Sequence, residues 1–422
     1  MSIQSRSSSP PAERRAVALT AAALALFIGS WIALHHGWLA RGEIIDTPVY
    51  ENYGDAMIRG EVPYRDFAVE YPPGALPMFV QPARGNVGDP DGFRRSFEAQ
   101  MAACGGALVI ALAFALGALG ASSARLFGAL ALAAIAPLLL GSVVLSRFDL
   151  WPAALTAAAV AALVSGRFRL GHGLLGAGIL AKVWPGVLVP LAFAHVWRTR
   201  GRREALICLG VAAAVVVVVV LPFAVLAPHG VGSSFKRQLT RPLQIESLGA
   251  ALMVASHHVF GTGVTMISSR GSQNLGGTTA KVVGLVQTVT QLAALLAVWI
   301  TFARRRRTHE ELVQFAAAAV VAFVALGKVL SPQFMIWLIP LVPLVRRRSA
   351  IVLFIAALVL TQAWFPQHYW DYALHFDATV SWIVLARDVV LVALLVALVM
   401  PPVAVRAAVR GRARRRASSS PA

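Results

Sequence analysis

The chain has 422 residues, of which 58% are hydrophobic and only 14% charged, a balance that excludes a soluble globular protein of this size. Its formal charge of +19 does not indicate nucleic-acid binding, because the arginines lie in short clusters between long apolar runs. That is the positive-inside pattern of a polytopic membrane protein, with lipid-headgroup contact as a secondary use. Cys104 and Cys208 sit singly in apolar runs. No CxxC or Cys/His metal spacing exists, so neither a disulfide framework nor a zinc site is expected.

In chain order, residues 1–15 read as a cytoplasmic tail. Arg14 and Arg15 then precede an apolar run at 16–39 that lacks a small-residue cleavage site, so a retained first helix is expected. Residues 41–97 read as a first long outer loop, rich in carboxylates and ending in the string Glu70-Tyr71-Pro72-Pro73-Gly74. Further spans are expected near 99–119, 125–145, 150–165, 170–183, 184–197, 205–227, 281–303, 311–328, 332–345, 350–366 and 380–404, about twelve in all. A second long outer loop covers 228–280, and 405–422 read as a basic cytoplasmic tail, disordered like the Ser/Pro-rich start of the chain.

Placing Arg198–Arg203, Arg304–Arg307, Arg346–Arg348 and Arg412–Arg416 in the cytoplasm makes every linker alternate and puts both termini inside. The carboxylates then fall mostly outside; only Glu13, Glu204, Glu310 and Glu311 remain within. Two pairs of short spans meet at Pro-containing breaks that hold a lysine, Lys182-Val183-Trp184-Pro185 and Lys328-Val329-Leu330-Ser331-Pro332-Gln333. Broken helices at membrane depth need protein or a watery cavity around the loosened backbone, so both turns are expected to reach into one outward cavity capped by the first loop.

Each polar feature has a plainer alternative. Asp46 and Asp55 can be solvated loop charges, Tyr71-Pro72-Pro73 the entry to an interfacial helix, and Arg147/Asp149 a structural ion pair. Lys182 and Lys328 can snorkel, although an unpaired lysine at the centre of a span costs ~2.5–3.5 kcal/mol. His257 and His258 are adjacent with no carboxylate close in sequence, which argues against a metal site. Trp364, Tyr369, Trp370 and Trp382 read as an interfacial belt. Taken together, an acidic first loop with outward lysines and arginines suits sugar transfer from a lipid phosphate. Such chemistry needs a carboxylate base for the acceptor hydroxyl and cations for the donor phosphate.

The first span followed by Asp46, Tyr50, Gly54, Gly60, Pro63-Tyr64-Arg65-Asp66-Phe67 and Glu70-Tyr71-Pro72-Pro73-Gly74 resembles the GT-C glycosyltransferases. It is most similar to the polyprenol-phosphate-mannose-dependent bacterial branch that includes the mycobacterial phosphatidylinositol-mannoside mannosyltransferases. Arg147-Phe148-Asp149, Lys182-Val183-Trp184-Pro185, Arg241-Pro242-Leu243-Gln244-Ile245-Glu246-Ser247 and Ser331-Pro332-Gln333 extend the resemblance from about residue 16 to 400. It implies an all-α multi-pass fold, inversion at the anomeric carbon, no obligatory metal or other cofactor, and a first-loop aspartate as base. By position Asp46 matches that base. Here Thr47 follows it where many members carry a second acid, which leaves Asp55 and Glu70 as rivals.

The resemblance further implies a polyprenyl-phosphate hexose donor, mannose by preference, and a lipid or envelope-glycan acceptor at the outer face of the plasma membrane. Lys182, Arg241, Lys328 and Arg147 would hold the donor phosphate. Tyr71, Asp149, Gln244, Glu246 and Gln333 would shape the sugar and acceptor pocket. The rival reading is a secondary transporter or flippase for lipid-linked sugars, which also uses broken helices and midplane charges. A non-catalytic assembly factor is a third.

Overall fold

A computed structural model describes residues 10–40, 44–305 and 308–400. The expected 405–422 tail, most of the 1–15 tail, Arg306, Arg307 and Arg412–Arg416 lie outside the described residues. The chain is helical nearly throughout. The first half comprises α1 (Pro10–Ala33), α2 (Thr47–Ile58), α3 (Pro77–Ala83), α4 (Pro90–Ala118), α5 (Ser123–Leu140), α6 (Leu150–Val164), α7 (Phe168–Ala181) and α8 (Val189–Arg200). The second comprises α9 (Arg202–Leu226), α10 (Pro228–Leu239), α11 (Leu248–Phe260), α12 (Gly277–Arg304), α13 (His309–Ala325), α14 (Arg348–Trp364), α15 (Tyr369–His375) and α16 (Ala378–Val399). A hairpin of β1 (Met266–Ser269) and β2 (Ser272–Leu275) precedes α12, paired antiparallel from Met266↔Leu275 to Ser269↔Ser272.

Among the described residues six helices are long and apolar enough to cross a membrane, or seven if the bent pair α14 and α15 counts as one span. The other expected spans are shorter. The 14 residues of α7 rise only about 21 Å at 1.5 Å each, less than a bilayer's hydrocarbon core. Residues 332–345 form two 3-10 turns, Pro332–Leu338 and Val342–Leu344, rather than one helix. Pro332, Pro340 and Pro343 deny the run the donors an α-helix needs.

Both expected long loops carry regular structure. Residues 41–97 contain α2, α3 and the first turns of α4; residues 228–280 contain α10, α11 and the hairpin. Turn residues in these stretches start and end helices. Pro90 opens α4 with the Asp89 side chain capping Gly92 N–H, and Gly261 ends α11 in the left-handed conformation.

Bonds among the described linker residues gather at two ends of the bundle. At one end Arg125 holds Glu310 (2.5 Å) and the Leu344 carbonyl (2.7 Å), Arg169 holds Glu204 through two 2.8 Å bonds, and Arg347 donates to the Ala397 carbonyl (2.5 Å). Thr308 and Glu311 close a capping box on α13 there. At the other end lie the first-loop helices, the 141–149 and 182–188 turns, α10, the hairpin and α15. Between the two ends α13 runs at the centre, its Ala316–Ala319 stretch fully buried, since alanines let neighbouring helices approach closely.

Candidate functional site

Asp46 is the N-cap of α2, but its side chain caps nothing. Pro48 supplies no N–H in the first turn, and the carboxylate is left free to face elsewhere. It forms an ion pair with Arg147 and accepts a 3.3 Å hydrogen bond from the Tyr50 hydroxyl one turn along the helix. Burial raises the Tyr50 phenol above its ordinary range, so it is a neutral donor. The Asp46 side chain keeps 31% of its surface exposed, open to a second molecule, while Arg147 is buried. Burial pushes the Arg147 guanidinium down to about 10, against the pull of Asp149 and Glu246, so it stays charged at neutral pH.

Arg147 and Asp149 follow the 3-10 turn Ser142–Val144 that breaks the chain between α5 and α6. Asp149 is fully buried and accepts from Lys182 Nζ (2.6 Å) and Trp337 Nε1 (2.5 Å). Lys182, where α7 ends, is boxed by aromatic rings, with its Nζ 4.7 Å from the Phe148 centroid, 5.4 Å from Trp337 and 5.8 Å from Tyr71. Phe148, Tyr71, Phe79 and Tyr50 pack edge to face or stacked on one another and form an apolar wall behind the ion pairs.

The Tyr71–Gly74 string lies directly on the α7 break. Gly74 accepts from Trp151 Nε1 (3.2 Å), and a Cβ on Gly74 would stand 2.7 Å from the Leu180 backbone. Only glycine allows this approach.

Arg241 and Glu246 flank a segment stitched to its surroundings by Gln244. The Gln244 backbone N–H donates to the Lys328 carbonyl (3.0 Å) and its side-chain amide to Ser331 Oγ (2.8 Å). Burial pushes the Glu246 carboxyl up to about 7 although Arg387 and Arg241 favour its charged form. Arg241 Nε, Arg147 Nε and Glu246 Oε2 are buried without a hydrogen-bond partner. The fields of Arg147 and Arg241 both reach Lys182, and that of Glu246 reaches Arg147, which draws the two groups into one charged region.

Three expected site residues stand elsewhere. Asp55 is nine residues beyond Asp46 on α2, about 13 Å along the helix axis, and its carboxylate accepts from the Gly88 N–H (3.1 Å). It fastens the 85–89 turn. Glu70 faces the hairpin turn, where a Cβ on Gly271 would sit 3.7 Å from Oε1, and its carbonyl accepts from Gln238 on α10. Lys328 is the third. It donates to the Leu239 carbonyl at the C-terminus of α10 (3.4 Å), where a cation is favoured by the unsatisfied carbonyls. Gln333 is half-buried at the start of the 332–338 turn.

Tyr50 stood in the first-loop pattern without a role, and three residues were not singled out from sequence: Trp337, and the adjacent Arg387 and Asp388 inside α16. The last two carried a readable signal, a charged pair in an otherwise apolar span. Trp337 carried none within its apolar run. Of the expected aromatic belt, Trp370 and Trp382 are exposed, whereas Trp364 and Tyr369 are buried. No family model matches the chain, and no curated protein matches its sequence.

Proposed function

We propose that the chain is a polytopic membrane glycosyltransferase of the GT-C type, counting the short helices as passes to reach about twelve. It would transfer a hexose, mannose by preference, from a polyprenyl phosphate to a lipid or envelope-glycan acceptor at the outer face of the plasma membrane. The observation that carries the reading is the Asp46–Arg147 ion pair, an accessible carboxylate beside a buried cation with Lys182 and Arg241 behind it.

In this reading Asp46 takes the proton of the acceptor hydroxyl as its oxygen attacks the anomeric carbon. The bond from that carbon to the phosphate oxygen breaks, and its electron pair stays on the phosphate. A phosphodiester with one negative charge becomes a monoester with two, so cations near it act more strongly in the transition state than in the ground state. Arg147 touches the base and has one buried N–H unspent, and Arg241 Nε is likewise unspent. These two are assigned to the phosphate. Lys182, already held by Asp149, contributes its field and the floor of the site. Tyr71 shapes the pocket wall.

The test is product formation by purified protein in liposomes given radiolabelled polyprenyl-phosphate mannose and envelope lipids. Labelled glycolipid from the wild-type chain supports the reading. Movement of the donor across the bilayer with no glycosylated product supports the flippase instead.

A further inference from the structure

Arg387 and Asp388 are adjacent on α16 with neither exposed at all, and their side chains pair at 2.7 Å. Charges at such a depth are expensive and usually serve a function. A pair of neighbours on one helix joins nothing by itself. The link outward is the bond from Arg387 Nη2 to the Glu246 carbonyl (2.7 Å), made while the guanidinium lies 5.9 Å from the Trp364 ring centroid. One residue earlier, the Ile245 carbonyl accepts from the Tyr372 hydroxyl (2.7 Å), itself fully buried on α15.

The segment between Arg241 and Ser247 is therefore pinned from three sides. The hairpin holds it through Leu275 N–H to the Leu243 carbonyl (2.8 Å) and Ile245 N–H to the Gln273 carbonyl (3.2 Å). The Lys328 break holds it through Gln244. Those two supports are a short hairpin and a broken turn. The third support, Arg387 with Tyr372, fastens it to the buried side of the long helix α16 and to its short neighbour α15.

We infer that Arg387 is a positioning residue that fixes the Glu246 backbone, and with it the guanidinium of Arg241, against the candidate site. The inference rests on the glycosyltransferase reading for its consequence, though not for its geometry. Asp388 neutralises Arg387, so that the bond to a neutral carbonyl is made without leaving a bare charge in the span.

The experiment uses the full chain in detergent and has two readouts, amide exchange over 241–247 and binding of a polyprenyl phosphate. Tyr372→Phe removes one carbonyl bond without touching a charge. Arg387→Met with Asp388→Leu removes the other while keeping the span neutral, and Arg387→Lys is the conservative variant. Expected are at least tenfold faster exchange at Gln244–Ser247 in the double variant, a smaller gain in Tyr372→Phe, and unchanged exchange in α4. Polyprenyl phosphate should bind about tenfold more weakly to the double variant and within about threefold of wild type to Arg387→Lys. Unchanged exchange over 241–247 in a folded double variant overturns the tether. Faster exchange with unaltered polyprenyl-phosphate binding overturns the positioning role and leaves a structural one. A wild-type chain that binds no polyprenyl phosphate removes the functional reading instead, and the exchange arm still decides whether the tether exists.

Discussion

The indoles of Trp184 and Trp337 stack with their centroids 5.4 Å apart and their planes 10° from parallel. Each ring belongs to one of the two breaks in the bundle, the Lys182 turn and the 332–338 turn, so the stack joins the breaks directly. Trp337 then donates to Asp149, and Asp149 holds Lys182. The two broken passes thus meet through aromatic rings and one buried carboxylate, where sequence alone had suggested two lysines in a shared cavity.

Removing one partner of this buried pair should be costly. Asp149→Ala leaves Lys182 uncompensated and should lower stability by about 3–5 kcal/mol, whereas Lys182→Met combined with Asp149→Leu should cost less than Asp149→Ala alone. Unfolding of the detergent-solubilised variants by denaturant titration measures both. A double variant less stable than Asp149→Ala would mean that the pair adds net stability beyond mutual neutralisation.

Gly74→Ala should destabilise by about 1–3 kcal/mol, since the added methyl lands on backbone atoms that cannot rotate away. Gly117→Ala in α4 is the control, because nothing stands within 4 Å of the added methyl and alanine favours a helix. Thermal scans of the two variants should move in opposite directions.

How much of this was legible in sequence depends on whether the signal was local. The membrane class and the polar strings from Asp46 to Glu246 were readable, because charge clusters and apolar runs are local patterns. The Asp46–Arg147 pair was not, since it joins segments a hundred residues apart. The bond from Gly88 to Asp55 was not legible, because a carboxylate that accepts from a distant backbone N–H looks in sequence like any other acid. The bond from Lys328 was not legible either, because its partner, the end of α10, lay in a stretch read as an outer loop. The Arg387–Asp388 pair was visible in α16 and was passed over.

Glu246 makes the protein pH-sensitive in a defined direction. Its folded value of about 7 lies above the ordinary 4.5, so the folded state binds the extra proton between those values. Its contribution to stability is therefore greatest below about pH 4.5 and is lost as pH rises to about 7. Glu246→Gln keeps the shape without the ionisation. The stability of Glu246→Gln relative to wild type should rise across that window and level off above it, as measured by denaturant titration at several pH values. A flat difference would show that Glu246 is not held neutral by burial.

Orientation can be read with single cysteines, since Cys104 and Cys208 are both buried. Val87→Cys, at a position 47% exposed, should react with an impermeant maleimide in intact cells. Arg202→Cys, at the opposite end, should react only after permeabilisation. The reverse pattern would place the candidate site in the cytoplasm.

The central claim is tested most directly by Asp46→Asn in the liposome transfer assay. The amide keeps the shape and an acceptor oxygen for Tyr50, but it cannot take the acceptor's proton. The account expects transfer to fall by ~10²–10⁴-fold with polyprenyl-phosphate binding within a few fold of wild type, and Arg147→Ala to lose both. Near-normal glycosyl transfer by Asp46→Asn would contradict the assignment of Asp46 as the base.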